Sequence, residues 1–203
     1  MAIGKNLAMG SGALGAVGVG GTSAYLYGFR GDTLEVRVRN HFKGKKHMVV
    51  LASSTQSEWN KFKEFYFHSK DEKPKGIDKE KIAKWCEDKL ASRDDASFDL
   101  VKKWCVINNR SLKDEALASK RKLIPVTGSD ADAQWKQAWT SYNTNKGALD
   151  IKDSTFNSSS KNAEATGGPA LKKWCEDKSA QFMYEYLGED RGYDKYYSWC
   201  TKE

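Results

Sequence analysis

Four cysteines are the residues of this 203-residue chain whose chemistry is easiest to assign, and their spacing favours a covalent framework. They are Cys86, Cys105, Cys175 and Cys200, and each follows a tryptophan. No two of them form Cys-x-x-Cys, the spacing typical of zinc ribbons and dithiol redox motifs. The chain has only three histidines, and none stands near a cysteine in a protease-like signature. We therefore expect no metal, no cofactor and no catalytic residue, and we interpret the cysteines as structural.

The distribution of the cysteines favours pairing Cys86 with Cys105 and Cys175 with Cys200. Four cysteines allow three connectivities, and the internal similarity described below favours this one. Each bridge would close a loop of about 20–26 residues, which the chain-entropy model values at about 3 kcal/mol. The alternative is four buried free thiols that act as small hydrophobic side chains. Because disulfides persist outside the cytoplasm, the choice depends on the compartment.

The sequence gives little support for an enzymatic activity. It contains no HExxH, Walker, GxSxG or kinase motif. Residues 10–15 match GxGxxG, but they lack the preceding buried strand that a dinucleotide site needs. Acids stand beside lysines, as in residues 84–89, which is typical of a solvated helix face with i, i+4 ion pairs. We expect no enzymatic activity; the alternative is an exported hydrolase with a carboxylate pair among these acids.

The formal net charge of +7 is unevenly distributed along the chain. Residues 1–50 carry seven Lys or Arg and two acids, whereas the rest carries 27 Lys or Arg and 25 acids. A nucleic-acid-binding protein spreads basic residues over a folded face, so we expect no nucleic-acid partner. The basic cluster from Arg30 to Lys46 directly follows an apolar segment, which favours attraction to anionic lipid headgroups.

Residues 6–29 contain no charged side chain and are long enough to cross a bilayer. We predict a transmembrane helix or signal anchor there, with a cleaved secretory signal as the alternative. The paired cysteines favour an extracellular soluble part, whereas the basic residues after the segment favour a cytoplasmic one with reduced cysteines. We predict a single-pass protein of the cell membrane whose soluble part lies outside. The rival is a membrane-tethered cytoplasmic protein that binds partners.

Small residues recur at every fourth position of the apolar segment and suggest helix packing in the membrane. Such a column lets two helix backbones approach closely, so self-association through this helix is a hypothesis. A four-residue period drifts off one face of a 3.6-residue helix, and the Gly- and Ala-rich composition could produce the column by chance. The residues are Gly4, Ala8, Gly12, Ala16, Gly20, Ala24 and Gly28.

Internal similarity divides the rest of the chain into two units. The sequence Lys-Trp-Cys-Glu-Asp-Lys occurs at residues 84–89 and again at 173–178. Trp59 and Trp135 precede these copies, each followed by Tyr seven and Lys eleven positions later. We predict a tandem duplication with unit 1 at residues 32–110 and unit 2 at 111–203. Unit 2 carries a Ser-, Asn-, Gly- and Pro-rich insert at about 154–169, predicted to be a solvated loop.

The predicted fold is mainly α, or α+β if short strands form. Ser111 and Asp114 form a capping box for a helix, and by equivalence residues 33–40 are helical although their apolar residues alternate as in a strand. Residues 48–51 and 123–126 are short apolar runs that predict small strands, with Pro125 at an edge. The tryptophans follow helical spacing, and we interpret them as core residues rather than as a ligand platform.

The same features resemble a known group of proteins. The chain is similar to the paralogous, mostly uncharacterised protein families of haemotropic mycoplasmas. The features that carry this resemblance are the apolar leader at 6–29, Trp59 with Tyr66, Trp135 with Trp139 and the two Lys-Trp-Cys-Glu-Asp-Lys stretches. The resemblance covers essentially the whole chain, and its motifs are structural. It implies a membrane-anchored, surface-exposed protein with a role in host-cell contact or as a variable antigen. Its partners would be the membrane and a host surface protein or antibody.

Overall fold

The computed structural model describes residues 31–153, 156 and 163–203, and within them the chain is mainly helical with four short strands. This agrees with the predicted fold class. The predicted membrane segment at 6–29 lies outside the described residues, as does the helix-packing column of Gly4, Ala8, Gly12, Ala16, Gly20, Ala24 and Gly28. None of the helices in the described part is long and apolar enough to cross a bilayer.

Residues 32–110 fold as a helix, a strand, three helices and a second strand. In order the elements are α1 (Leu34–His41), β1 (Met48–Val50), α2 (Trp59–His68), α3 (Ile82–Ala91), α4 (Phe98–Trp104) and β2 (Val106–Asn108). A 3-10 turn at Asp95–Ser97 leads into α4. β1 and β2 pair antiparallel, with Met48 opposite Asn108 and Val50 opposite Val106. The strand pair therefore joins the beginning of the unit to its end.

Residues 111–203 repeat the same order of elements. They are α5 (Leu112–Ala118), β3 (Lys122–Leu123), α6 (Ala131–Asn145), α7 (Glu164–Ser179), α8 (Gly192–Trp199) and β4 (Thr201–Lys202), with a 3-10 turn at Gly147–Leu149. β3 pairs antiparallel with β4, with Leu123 opposite Thr201. The two units thus share element order and strand pairing. That they arose by duplication stays a prediction.

Capping explains why α1 is a helix although its apolar residues alternate. Thr33 Oγ1 accepts a hydrogen bond from the Val36 backbone N–H at 3.5 Å, as Ser111 Oγ accepts one from Asp114 at 3.0 Å. In α1 the buried residues are Leu34 and Val38, which are one turn apart, while Val36 is 43% exposed. The helical prediction for residues 33–40 is therefore confirmed.

The second apolar run forms a shorter strand than the sequence predicts. We expected residues 123–126 to be extended in a strand, but β3 ends at Leu123. Pro125 has no N–H to donate to a strand neighbour. Its carbonyl instead accepts a hydrogen bond from Trp135 Nε1 at 2.8 Å. The proline thus ends the ladder and anchors the tryptophan of the following helix.

The insert of unit 2 is not a loop over its whole predicted length of 154–169. Residues 164–169 form the first turns of α7, and Pro169 lies inside that helix. Gly167 and Gly168 are there for packing, because a Cβ on Gly167 would lie 1.9 Å from Trp139 Nε1 and one on Gly168 would lie 3.0 Å from the Lys136 backbone N. The Gly-Gly-Pro sequence therefore marks the close approach of α6 and α7.

Each unit has its own hydrophobic core, built around tryptophans. Trp59 and Trp104 are 2% and 1% exposed in the first, and Trp135 and Trp174 are both 2% exposed in the second. This burial confirms that these tryptophans are core residues. Two residues cross the boundary, because Tyr184 of unit 2 belongs to the core of unit 1 and Phe182 packs against that core.

Candidate functional site

Two disulfides tie neighbouring helices together, one in each unit. Cys86 on α3 is bonded to Cys105, directly after α4, with Cα atoms 5.4 Å apart. Cys175 on α7 is bonded to Cys200, directly after α8, with Cα atoms 5.6 Å apart. The structure thus brings the four predicted cysteines together in the pairing that the sequence favours, and the described part holds no free cysteine.

Indole N–H groups of the core tryptophans donate to backbone carbonyls in the same way in both units. The four bonds are Trp59 to Ser53 at 3.0 Å, Trp135 to Pro125 at 2.8 Å, Trp104 to Glu72 at 2.7 Å and Trp199 to Leu149 at 3.0 Å. A buried indole N–H usually finds such a partner, whereas the N–H of Trp174 is buried without one in the described residues. These tryptophans hold loops onto the helices.

The acid–lysine pairs of the repeated motif lie on solvated helix faces, as predicted. Lys84 Nζ lies 2.8 Å from Asp88, and Lys173 Nζ lies 3.0 Å from Asp177, both one turn apart. Exposed pairs of this kind contribute about 0–1 kcal/mol. No group of three or more His, Cys, Asp or Glu in the described residues could hold a metal ion.

Unit 2 sends one segment across the face of unit 1. We call residues 182–190, between α7 and α8, the strap. At its beginning the Met183 N–H donates to the Arg110 carbonyl at 3.0 Å, and Phe182 forms an antiparallel bridge with Ser111. The strap therefore starts beside the junction of the two units.

Contacts of the strap follow α2 along its length. Glu185 accepts a hydrogen bond from Lys61 Nζ at 2.7 Å near the start of the helix. The rings of Tyr186 and His68 stack at its end, with centroids 3.8 Å apart. Beyond the helix, Lys70 Nζ lies 2.6 Å from Asp190. One side of α2 is thus covered by unit 2.

The first part of the strap buries aromatic side chains against α2. Tyr184 is 8% exposed, within the core of unit 1 beside Lys61 and Glu58. Its ring stacks on Phe182, with centroids 5.3 Å apart. Lys61 Nζ lies 5.4 Å from the centre of the Phe182 ring, a cation–π contact. Burial raises the pKa of the Tyr184 hydroxyl.

Charges at the strap shift the pKa of groups on both units. The hydrogen bond from Lys70 holds the pKa of the Asp190 carboxyl below its usual value, and the bond to Glu185 raises the pKa of Lys61. Both lysines are largely exposed, so solvent screening keeps their contributions to stability small. Burial of the aromatic side chains of the strap therefore contributes more to the contact between the units than these ion pairs do.

A buried ion pair fixes the other end of the strap inside unit 2. Glu189 and Lys195 on α8 form a salt bridge in which their side chains are 5% and 4% exposed. Glu189 Oε2 also accepts a hydrogen bond from the Lys152 N–H at 2.8 Å. Its other carboxylate oxygen is buried without a hydrogen-bond partner. Unit 1 has no equivalent pair, since its corresponding interval is shorter.

The strap was missed in the sequence, although one signal points to it. The two bonded cysteines are 25 positions apart in unit 2 and 19 in unit 1. The aromatic and acidic run at residues 182–186 falls in that longer interval. The insert predicted at about 154–169 does not include this interval.

An open groove lies on unit 2 between α6 and the α8–β4 end of the chain. Its volume is about 280 Å³. Apolar side chains form the floor, and amides, hydroxyls and one ammonium group form the rim. The floor is Ile124, Ala138 and Trp199, and the rim is Gln134, Gln137, Ser141, Ser198, Thr201 and Lys202.

The rim of this groove is polar. Lys202 Nζ donates to Gln134 Oε1 at 2.7 Å and has no carboxylate partner in the described residues. The side chains of Gln137, Ser141 and Ser198 bring further amide and hydroxyl groups to the rim. The groove can therefore offer a guest both donors and acceptors above an apolar floor.

Comparison with known proteins identifies no relative. No protein-family model, no curated protein and no solved structure matches the chain.

Proposed function

We propose that this protein is a membrane-anchored, surface-exposed module without enzymatic activity, which acts by contact with a host cell or as a variable antigen. The observation that carries the proposal is the pair of disulfides, Cys86–Cys105 and Cys175–Cys200, in a chain with an uncharged apolar segment at 6–29. Disulfides persist outside the cytoplasm, and the apolar segment supplies the anchor.

The packing of the two units supports a role in presenting a surface to a partner outside the cell. α1 begins at Leu34, five residues after the uncharged segment ends at Phe29, so the fold would stand directly on the membrane. The basic residues from Arg30 to Lys46 would then lie near anionic headgroups. The strap joins the units through a buried tyrosine, and a joined pair presents a fixed surface to a partner.

Labelling of intact cells tests the proposal. An antibody against the folded units is expected to label unpermeabilised cells that express the full chain, and external protease is expected to remove the label. Good expression with label only after permeabilisation would contradict surface exposure. Trapping thiols with an alkylating reagent in the same cells is expected to modify no cysteine until a reductant is added.

The second candidate is a membrane-tethered cytoplasmic protein that binds partners. The observation in its favour is the run of basic residues after the apolar segment, which is typical of the cytoplasmic side. This candidate predicts four free thiols in freshly trapped cells and a soluble part that survives external protease.

Self-association through the membrane segment remains part of the proposal. In a bacterial two-hybrid assay of residues 1–31, changing Gly12 and Ala16 to Leu is expected to abolish the signal, because the larger side chains keep the helices apart. An unchanged signal would contradict self-association through this segment.

A further inference from the structure

We propose that one face of unit 1 binds the phosphate groups of anionic lipids and holds α1 along the bilayer surface. We call this surface the basic face, and its side chains are Val36, Arg39, Lys43, Lys45 and Lys46. The proposal rests on the proposed function, because the anchor at 6–29 is what brings unit 1 to the bilayer. It deepens that function by assigning the lipid contact to particular side chains and by giving unit 1 an orientation.

Helical spacing places one apolar and one basic side chain on the solvent side of α1. Leu34 and Val38 are buried in unit 1, and Val36 lies on the opposite side of the helix, where it is 43% exposed. Arg39, three positions after Val36, is exposed on the same side and pairs with Glu35 at 2.8 Å. An apolar side chain beside a cation is typical of surfaces that contact the membrane interface.

Three lysines follow α1 without an acidic partner. Lys43 and Lys46 are exposed and Lys45 is half-buried, with its ammonium group 5.8 Å from the centre of the Phe42 ring. None of the three forms an ion pair in the described part of the chain. The remaining residues cannot supply one, because every Asp and Glu of the sequence lies in the described part. A group that neutralises these lysines must therefore come from outside the chain.

A second helix adds positive charge at the same end of α1. Burial lowers the pKa of His41, and the charges of Lys102 on α4 and of Lys45 lower it further, against an opposing effect of Asp99. Lys102 pairs with Asp99 at 2.9 Å, but the Asp99 side chain is 91% exposed. The two lysines therefore give the exposed His41 imidazole a positive surrounding, and His41 can report an anion that arrives there.

The acidic residues around α1 lie at its other end, and they decide how the helix is turned. Asp32 and Glu35 flank the first residue of α1, and Asp95, which pairs with Arg37, is 81% exposed. A helix that stood upright on its first turn would bring these carboxylates to the anionic headgroups, which repel them. A helix that lies flat, with Val36 toward the bilayer, brings the lysines after α1 to the headgroups instead.

The anchor is what makes the bilayer the expected partner of so few cations. Three lysines and an arginine bind a membrane weakly by themselves, because each contributes little and salt screens it. α1 begins five residues after the uncharged segment ends at Phe29, so the anchor holds the basic face beside the headgroups at a high effective concentration. A soluble polyanion would bind the same cations without this advantage.

The full chain in nanodiscs of two compositions tests the contact. One set contains phosphatidylcholine alone, the other contains phosphatidylglycerol as about a third of its lipid. Both carry a trace of lipid with a gadolinium chelate on its headgroup, which broadens the NMR signals of nearby nuclei. The amide signals of Arg39, Lys43 and Lys46 are expected to lose about half of their intensity in the anionic discs only, and about 0.5 M sodium chloride should restore them. Equal broadening in both discs would overturn the proposal.

His41 gives a second readout on the wild-type chain. An anionic surface favours the imidazolium form, so the pKa of His41 measured by NMR is expected to be higher by about half a pH unit in the anionic discs than in phosphatidylcholine. The same value in both discs would overturn the proposal. This readout requires no variant, so it does not depend on how a substitution affects folding.

Charge reversal identifies the side chains that make the contact. Lys43→Glu/Lys46→Glu is expected to abolish the difference between the two discs in both measurements. Lys120→Glu/Lys122→Glu is the matched control, because these exposed lysines follow α5 in unit 2 as the first pair follows α1 in unit 1. The control should behave as the wild type does. Equal effects of the two double variants would overturn the assignment to the basic face.

Soluble anions and the proposed display are tested separately. Inorganic phosphate or heparin added to phosphatidylcholine discs should leave the His41 signals unchanged, and a shift with either of them but not with anionic lipid would overturn the proposal. Association of the chain with anionic discs alone would contradict the anchor and not the basic face. Surface labelling of cells without lipid contact in discs would overturn only the basic face, and the reverse result only the display.

Discussion

The ring of His68 in unit 1 lies parallel to the ring of Tyr186 in unit 2, with centroids 3.8 Å apart and planes 10° apart. This stack and the Lys70–Asp190 pair hold the second half of the strap on the surface of α2. Tyr184 lies deeper, within the core of unit 1. Because burial of a large side chain outweighs exposed ion pairs, Tyr184 is the main attachment of the strap.

Replacing Tyr184 by Ala is expected to destabilise the protein by about 3 kcal/mol, since it removes a buried aromatic ring. Unit 1 loses a member of its core and the contact between the units weakens, so its unfolding transition should separate from that of unit 2. Urea denaturation followed by tryptophan fluorescence measures both effects. Phe67→Ala is the control, because the Phe67 ring on the same helix is 55% exposed and should change stability little. Equal losses for the two variants would contradict the role of Tyr184.

Removing either disulfide is expected to lower the free energy of unfolding by about 3 kcal/mol, because each closes a loop of similar length. The variants are Cys86→Ala/Cys105→Ala and Cys175→Ala/Cys200→Ala. Urea unfolding of the oxidised proteins measures the difference. Each variant should also retain the other bridge, seen as a mass change of two hydrogens on reduction. A loss below about 0.5 kcal/mol in both would show that the bridges do not constrain the unfolded chain.

Gly167→Ala should destabilise unit 2 although alanine favours helices. The gain in helix propensity is about 1 kcal/mol, whereas a methyl group that overlaps a packed ring costs about 1–3 kcal/mol or more. The Cβ would lie 1.9 Å from Trp139 Nε1, so the ring must move. Thermal unfolding and the tryptophan emission spectrum report the change. Gly168→Ala should destabilise unit 2 less, because its Cβ would lie 3.0 Å from the nearest atom. A more stable Gly167→Ala protein would be inconsistent with the close approach of α6 and α7.

Lys195→Met is expected to cost about 3–5 kcal/mol, because it leaves the Glu189 carboxylate buried without its cation. The double variant Glu189→Gln/Lys195→Met should recover most of that loss, since no charge remains in the interior. Urea denaturation of the set gives the values. Lys173→Met breaks an exposed pair with Asp177 and should cost less than about 1 kcal/mol. If the double variant were as unstable as Lys195→Met, the ionic interaction would not be the cause.

Stability should fall in alkali because of two tyrosines on α8, the buried Tyr196 and the half-buried Tyr193. Burial raises the pKa of both Tyr193 and Tyr196 to about 12. An unfolded tyrosine ionises near pH 10, so the unfolded chain releases these protons first. Their contribution to stability is therefore complete below about pH 10 and is lost as the pH rises toward 12. Absorbance at 295 nm should show ionisation of these residues only with unfolding, against a guanidinium-unfolded control. Titration of every tyrosine near pH 10 in folded protein would contradict this.

The repeated motifs made much of the fold predictable. Lys-Trp-Cys-Glu-Asp-Lys at two positions aligned the units, so the strong capping box at Ser111 gave the correct helix for the ambiguous residues 33–40. The same alignment favoured the observed cysteine pairs. These predictions succeeded because helix caps, core tryptophans and bridges depend on local sequence and on burial within one unit.

Features that depend on contacts between distant segments were missed. Gly167, Gly168 and Pro169 have the composition of a loop, but Gly167 allows the approach of Trp139 and Gly168 that of the Lys136 backbone, which no local pattern reveals. The strap was missed because Tyr184 belongs to the core of the other unit. The groove was missed because it is defined by side chains that are small relative to their counterparts, such as Ala138 for Phe62.

Phe65 in unit 1 corresponds to Ser141 in unit 2, so the two units do not present the same side chains on this face. A third module stacked on unit 2 would meet amides and hydroxyls in place of the lysine and rings that receive the strap. A third unit with a strap like that of unit 2 would therefore need a lysine and aromatic residues on α6 if α6 were to receive that strap as α2 does.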